Sequence, residues 1–235
     1  MRPSLVELGQ RHGSDKLAHG YLEHYDRHFS SLRDSAERVL EIGVGGYGDP
    51  TRGGASLRMW ADYFARARVV GLDVQEKRLD LPSSVIVVQG SQADPAVLDC
   101  LVADHGPFDV IIDDGSHANA HRNLSFTHLF PTMPSGGVYA LEDLHTSYLR
   151  QFGGGAHDLL DPAITTGLLK ELIDGLHHAY VPGRSEQPFD ASITGLSVYP
   201  KLAFVTKGEN RPTVAWNDQA AIDRELEALR GRADP

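Results

Sequence analysis

The chain has 235 residues, 41% of them hydrophobic, and a formal net charge of −10 at pH 7. That is enough apolar material for one α/β domain, and no Lys/Arg cluster is dense enough to follow a phosphate backbone, so nucleic acid is not an expected partner. A lone Cys100 excludes an internal disulfide, the opening MRPSLVELGQ lacks an apolar core of signal-peptide length, and no run reaches the ~18 apolar residues of a membrane span; a cytoplasmic location is the expectation.

In chain order, Leu17 to Phe29 reads as a helix carrying Tyr21, His24, Tyr25 and His28. Five short Val- and Ile-rich runs follow, Arg38 to Gly43, Arg68 to Val74, Val85 to Gln89, Phe108 to Asp114 and Gly136 to Leu141, each with the continuous apolar character of a buried parallel strand. Helices are predicted between them over Gly54 to Ala65, Asp94 to Asp104 and Asn119 to Leu129, with Asp94 ahead of Pro95 as N-cap and first-turn proline. Gly153 to Gly155 marks a mobile loop. Ile193 to Tyr199 and Leu202 to Thr206 are joined only through Pro200 and Lys201, which fits a hairpin. A last helix, Asp218 to Arg230, would pack one face through Ile222, Leu226 and Leu229. The expected fold is therefore α/β: a doubly wound, mostly parallel, seven-stranded Rossmann-like sheet with an antiparallel last strand, binding its ligands at the strands' carboxyl ends.

Two of those strand ends carry paired acids, DDGSH after the fourth strand and LEDLH after the fifth. Neighbouring strands lie about 5 Å apart, so Asp114, Glu142 and Asp143 can share one divalent cation, with His117 beside it as a base. Hard carboxylate oxygens favour Mg²⁺ or Mn²⁺ over Zn²⁺. Asp113 and Asp114 should point to opposite faces of the strand end, one towards a cofactor and one towards the metal. The plain alternative is a polar strand-to-helix turn over Asp113 to His117.

After the first strand, EIGVGGYG places Gly43, Gly45 and Gly48 in a GxGxxG pattern, but YGDPTRGG then intervenes where a dinucleotide fold would begin its helix. Glu41 sets an acid beneath the loop, suited to a cationic ammonium, and Asp73 at the end of the second strand is placed for both hydroxyls of a ribose. A tight turn needing positive φ would explain the glycines equally simply.

Glu41, the glycines and Asp73 together look like the class I S-adenosylmethionine methyltransferase pattern. GSDK at Gly13 to Lys16, LEIGVGGYGDP, GGASLRMW, GLDV, QGSQAD, FDVIIDDGSH and LEDLHTSY resemble, in that order, the metal-dependent sugar O-methyltransferases of the mycinamicin and macrocin type and those of mycobacterial methylmannose polysaccharides. The resemblance covers most of Gly13 to Tyr148 and implies S-adenosylmethionine and Mg²⁺ as cofactors. By it, Asp73 would hold the ribose, Ser91 and Gln92 the adenine side, Glu41, Gly43 and Gly45 the methionine portion, and Asp113 the region below the sulfonium, with Ser56 a further contact. Ser91 and Gln92 also read as a polar turn, and Ser56 as an N-cap. The metal would sit on Asp114, Glu142 and Asp143, and His117 would be the general base. Tyr47, His145 and Tyr148 would line a sugar pocket or anchor loops. The GSDK segment, Lys16 within it, would help cover the cofactor.

The chain is thus expected to be a single methyltransferase domain over 1–235, with a helical lid at 1–35, the cofactor and metal core at 36–145, a mobile substrate region at 146–190 and the terminal hairpin and helix at 191–235; related enzymes suggest a homodimer. Taking about 15.7 for the pKa of the acceptor hydroxyl and about 6.5 for imidazole, proton transfer to His117 alone is uphill by roughly 9 units, about 12 kcal/mol. A metal at the hydroxyl, and transfer concerted with methylation, supply the deficit. The expected acceptor is a carbohydrate or glycoside hydroxyl, on a mannoside by the stand-alone length of the chain, with a macrolide deoxysugar as the alternative. A nicotinamide-dependent oxidoreductase would use the same sheet, but the break after Gly48 and the acid pairs count against it; a non-catalytic carbohydrate- or metal-binding module is the third reading.

Overall fold

The apolar runs pair into one seven-stranded sheet: β1 (Arg38–Ile42), β2 (Arg68–Asp73), β3 (Val85–Gln89), β4 (Val110–Asp113), β5 (Val138–Leu141), β6 (Ile193–Tyr199) and β7 (Leu202–Lys207). The computed structural model describes residues 2–155, 157–181, 184–185, 187–211 and 219–230. Strand order is β3-β2-β1-β4-β5-β7-β6, and β7 alone runs against its neighbours, antiparallel to both β5 and β6. The hairpin turns at Lys201, whose φ of 66° lets the chain reverse within two residues.

Helices α1 (Leu5–His12), α2 (Leu22–Phe29) and α3 (Ala55–Tyr63) cover one face of the sheet, and α4 (Pro95–His105), α5 (Asn119–Leu129) and α6 (Thr165–Leu176) the other. The period-two alternation of each strand divides the core accordingly. Val39, Val69, Val110, Ile112 and Ala140 join Tyr25, Phe29, Trp60 and Phe64 on the first face. Leu40, Ile42, Leu72, Ile111 and Leu141 join Leu98, Phe126, Leu129 and Leu169 on the second. Asp94 caps α4 by accepting from Ala96 N, with Pro95 in the first turn.

Three helical readings differ from the expectation. The single helix over Leu17 to Phe29 is interrupted at Gly20 (φ 73°): a 3₁₀ turn, Asp15–Leu17, precedes the break and α2 follows it. α1 was not anticipated, although Ser4 and Glu7 form a reciprocal capping box that marks its start in the sequence. α6 lies within the stretch expected to be mobile, and it buries Leu168, Leu169 and Leu172 against the second face. At the C-terminal end, α7 (Gln219–Arg230) forms, while the expected start at Asp218 and the side chain of Leu229 lie outside the described residues. Leu226 is 42% exposed, because helical periodicity makes a face apolar without supplying anything to cover it. Among the described residues no helix is long and apolar enough to cross a membrane.

Candidate functional site

The strand order reverses direction between β1 and β4, and at this switch point the carboxyl ends leave a cavity of about 700 Å³. Gly43 forms its floor with φ 91°, and a Cβ there would stand 2.1 Å from the Asp114 carbonyl oxygen, so only glycine lets β1 and β4 end side by side. Gly45, Tyr47 and Gly48 form one wall of the cavity and Asp73, Ser91 and Gln92 another. Asp73 is held by backbone donors, Val44 N to Oδ2 at 3.0 Å and Gln75 N to Oδ1 at 2.8 Å. α3 starts twelve residues beyond Gly43, at Ala55, so no helix N-terminus rises directly from the glycine loop. Lys77 closes that loop instead, its ammonium donating to the carbonyls of Gly45 (2.6 Å) and Tyr47 (2.8 Å).

The acids divide by strand parity. Glu41 and Asp114 fall in step with the residues of β1 and β4 that face α1 to α3, such as Val39 and Ile112, and Glu142 follows β5 on the same side. There they converge on one ammonium. Lys16 Nζ stands 3.1 Å from Glu41 Oε1, 2.7 Å from Asp114 Oδ2 and 2.6 Å from Glu142 Oε1, with the lysine side chain 1% exposed. Glu142 Oε1 also accepts the Tyr25 hydroxyl at 2.6 Å, and Asp143 Oδ1 the Tyr21 hydroxyl at 2.6 Å. Burial and the neighbouring carboxylates raise the pKa of both phenols, so they remain donors.

Asp113 points the other way. It is fully buried and accepts from Gln92 Nε2 (3.1 Å to Oδ1), Ser125 Oγ (2.6 Å to Oδ2) and the Tyr139 hydroxyl (3.2 Å to Oδ2). It reaches the cavity through Gln92, whose Oε1 accepts Ser116 N at 2.7 Å. Glu41 is likewise fully buried, bonded to Ser56 Oγ at 2.7 Å and paired with Lys16. Ser56 is not the cap of α3, a position held by Gly54. Ser91 Oγ accepts Ala93 N at 3.2 Å, the polar turn allowed for it, while the residue also lines the cavity.

Alternation would send Asp143 away from Glu142, but Asp143 has φ 52°, and this left-handed turn lets both consecutive acids reach the same cluster. His117 is also left-handed, φ 58°. Ligand atoms of Asp114, His117 and Asp143 all lie within 4.8 Å of one another. The three side chains are 24%, 24% and 21% exposed, open to the cavity and otherwise enclosed. Burial lowers the pKa of His117 although Asp114 and Asp143 oppose it, which leaves a neutral imidazole at neutral pH, and its buried Nδ1 has no hydrogen-bond partner among the described residues. Burial raises Asp143, but the Tyr21 hydroxyl and the surrounding histidines outweigh it and keep the carboxylate ionised. Glu142 is pushed up to about 8 by burial and by the charge of Asp114, against the pull of Lys16 and Tyr25. With Glu142 protonated at neutral pH, the charged Asp114 and Asp143 still outnumber the single Lys16 ammonium, and their two hard oxygen donors with an imidazole on the cavity wall fit a divalent cation of the Mg²⁺ or Mn²⁺ type.

Tyr47 stands at the cavity rim, 93% exposed. His145 and Tyr148 are not on the cavity wall; His145 Nδ1 is 4.0 Å from Asp143 Oδ1 and Tyr148 is 41% exposed. Asp15, His19, Ser116 and His121 line the cavity without having been singled out, and Ser116 Oγ sits 2.9 Å from His121 Nδ1. Ser116, within DDGSH, and Asp15, within GSDK, lay inside motifs the sequence marks; His19 and His121 carried no such signal. Arg122, fully buried, was also missed; it donates to the Asp143 carbonyl (3.3 Å) and to Thr146 Oγ1.

Sheet order, the lone antiparallel β7 and a ligand cavity at the switch point define the class I methyltransferase α/β fold. No family model matches the chain. The solved structure of the MycE methyltransferase in complex with Mg, SAH and mycinamycin VI superimposes with a TM-score of 0.86 at 43% identity, over 96% of this chain and 60% of that one. The chain is 48% identical over 212 residues to the 8-demethyl-8-alpha-L-rhamnosyl tetracenomycin-C 2'-O-methyltransferase of Streptomyces olivaceus, covering 88% of this chain and 56% of the relative. It is 45% identical over 214 residues to the mycinamicin VI 2''-O-methyltransferase of Micromonospora griseorubida, covering 89% and 54%. Over nearly nine tenths of its length the chain is thus similar to sugar O-methyltransferases, one of them solved with Mg bound. It spans a little over half the length of the curated relatives it matches.

Proposed function

We propose that the chain transfers a methyl group from S-adenosylmethionine to a sugar hydroxyl, with Mg²⁺ at the acid cluster and His117 as general base. The observation that carries this reading is the meeting of Asp114, His117 and Asp143 within 4.8 Å at the mouth of a cavity whose far wall bears Asp73. Asp73 takes the ribose hydroxyls, Gly43 and Gly45 the methionine portion, and Ser91 and Gln92 the adenine side. Glu41, Ser56 and Asp113 support these contacts from behind the wall. Asp114 and Asp143, with Glu142 beside them, would hold the metal, and the ion would supply acidification of the acceptor hydroxyl. His117 Nε2 takes the hydroxyl proton as the oxygen attacks the methyl carbon in line, and the electrons of the breaking C–S bond return to sulfur. Tyr47 and His145 border the acceptor's approach, with Tyr148 farther out.

The acceptor we infer is a deoxysugar hydroxyl on a glycosylated natural product. The relatives are named for rhamnosyl tetracenomycin and mycinamicin, and this favours the macrolide-type alternative over the mannoside first expected. Labelled S-adenosylmethionine offered with rhamnosyl and macrolide glycosides and with mannosides, each in Mg²⁺ and in chelator, tests both points. Transfer to a deoxysugar glycoside that stops on chelation supports the reading; metal-independent transfer would sink the metal assignment, and transfer to mannosides alone would restore the first expectation.

A further inference from the structure

Lys16 is the one buried lysine among the described residues, and nothing in the methyl-transfer reading uses it. An ammonium has three donors, and here it faces three carboxylates from the ends of three different strands. Burial alone would lower its pKa, but Asp114, Glu142 and Glu41 overcome that, so the group is a cation fixed in the cluster. Of its three partners, Asp114 has a second allegiance, because its carboxylate also forms the group with His117 and Asp143. One acid thus belongs to two cation sites, one filled by the chain itself.

The segment carrying Lys16 is built as an insert. Gly13 (φ 65°) and Gly20 (φ 73°) bracket it, both with open space where a Cβ would be, and Ser14 and Lys16 face inward while Asp15 and His19 face the cavity. Tyr21, next to the second glycine, bonds Asp143 and Tyr25 bonds Glu142, while Lys16 reaches Glu41, Asp114 and Glu142, so the same stretch of chain touches all four acids of the cluster.

We infer that Lys16 is a tethered place-holder for the acid cluster, a positioning residue that holds Glu41, Asp114 and Glu142 together and yields Asp114 when a divalent cation enters, thereby setting the affinity of that site. The inference rests on the reading of Asp114, His117 and Asp143 as a metal site. Two like charges sharing one carboxylate repel, so every metal ion bound is bound against Lys16. The benefit is a cluster that does not fly apart when metal-free, since buried like charges without a counter-ion are strongly destabilising.

Mn²⁺ binding, followed by electron paramagnetic resonance without cofactor or acceptor, tests this on three proteins: the wild type, Lys16→Met, and the double variant Lys16→Met/Glu41→Gln. The double variant removes one charge of each sign, so it keeps the cluster's net charge and guards against a folding defect. Both variants should bind Mn²⁺ tighter than the wild type, because Asp114 is freed in both: Lys16→Met by about tenfold or more, the factor that about 1.4 kcal/mol of relieved repulsion gives, and the double variant by less, since losing the charge of Glu41 offsets part of that gain. Wild-type affinity or weaker binding in folded variants overturns the inference and leaves the metal reading standing. Absence of Mn²⁺ binding in all three proteins overturns both. A measurement on the wild type alone is independent of variant folding: with ¹³C-lysine, the Lys16 Cε resonance should shift on Mg²⁺ addition with the midpoint of metal binding, and a resonance unmoved at saturation also overturns the inference.

Discussion

His117 Nε2 lies 3.8 Å from Asp143 Oδ2, and both residues hold left-handed backbone, φ 58° and φ 52°. Neither is glycine, and each such conformation costs on the order of 1–3 kcal/mol unless its surroundings enforce it. One enforcing element is visible. Thr146 Oγ1 stands 2.8 Å from the Asp143 carbonyl and 3.3 Å from that of His117, and Arg122 donates to both Thr146 Oγ1 and the Asp143 carbonyl. The loops after β4 and β5 are therefore tied together behind the site, and the strain is concentrated at the two residues that face each other across it.

If Arg122 maintains that tie, Arg122→Met should lower stability by about 1–3 kcal/mol, because the Asp143 carbonyl and Thr146 lose a buried charged donor. It should also reduce kcat more than it changes the Kd for S-adenosylmethionine, since the cofactor wall at Asp73 is untouched. Thermal unfolding and calorimetric cofactor titration check the two halves.

His117→Ala should lower kcat by about 10²- to 10⁴-fold with cofactor affinity retained. Because burial holds the imidazole pKa below the ordinary 6.5, with Asp114 and Asp143 pulling the other way, the neutral form persists below pH 6.5. Wild-type activity should therefore rise with pH on an acid limb centred below 6.5 and be flat above it up to neutrality. A pH–rate profile of kcat/KM measures this, and an unchanged rate in His117→Ala would end the base assignment.

Asp113 and Asp114 are adjacent in sequence and should fail differently. Asp113→Ala strips the acceptor from Gln92, Ser125 and Tyr139, and with about 1–3 kcal/mol for each buried group left unsatisfied the chain should lose much of its stability. Asp114→Asn should fold, and its Mg²⁺ affinity should fall at least tenfold as a charged ligand becomes neutral. Chemical denaturation paired with metal titration separates the two outcomes; equal effects of both substitutions would refute the division by sheet face.

Gly43→Ala should abolish cofactor binding or folding, since its Cβ meets Asp114 backbone at 2.1 Å and no side chain favours φ 91°. Gly13→Ala has open space around it and should cost only the backbone strain at φ 65°, about 1 kcal/mol. Circular dichroism melts and equilibrium dialysis with S-adenosylmethionine compare the pair.

The sequence by itself determined the strands, the hairpin through Pro200 and Lys201, the paired acids at the ends of β4 and β5 and the opposed directions of Asp113 and Asp114, because apolar runs, turn residues and a period of two are local properties of the chain. The capping box of Ser4 and Glu7 was legible by the same rules. Only the tertiary structure decided that Lys16 fills the acid cluster, that Tyr21 and Tyr25 bond two of its acids and that Arg122 braces the loops behind it. Lys16 is 98 residues from Asp114 and 126 from Glu142 along the chain, and no periodicity relates them. They meet because strand order 3-2-1-4-5 sets the ends of β1, β4 and β5 side by side while the break at Gly20 aims the preceding turn at the same point. Left-handed backbone at His117 and Asp143 was equally beyond reach: Asp and His enter that region more often than most residues, but only the surrounding contacts decide which of them do.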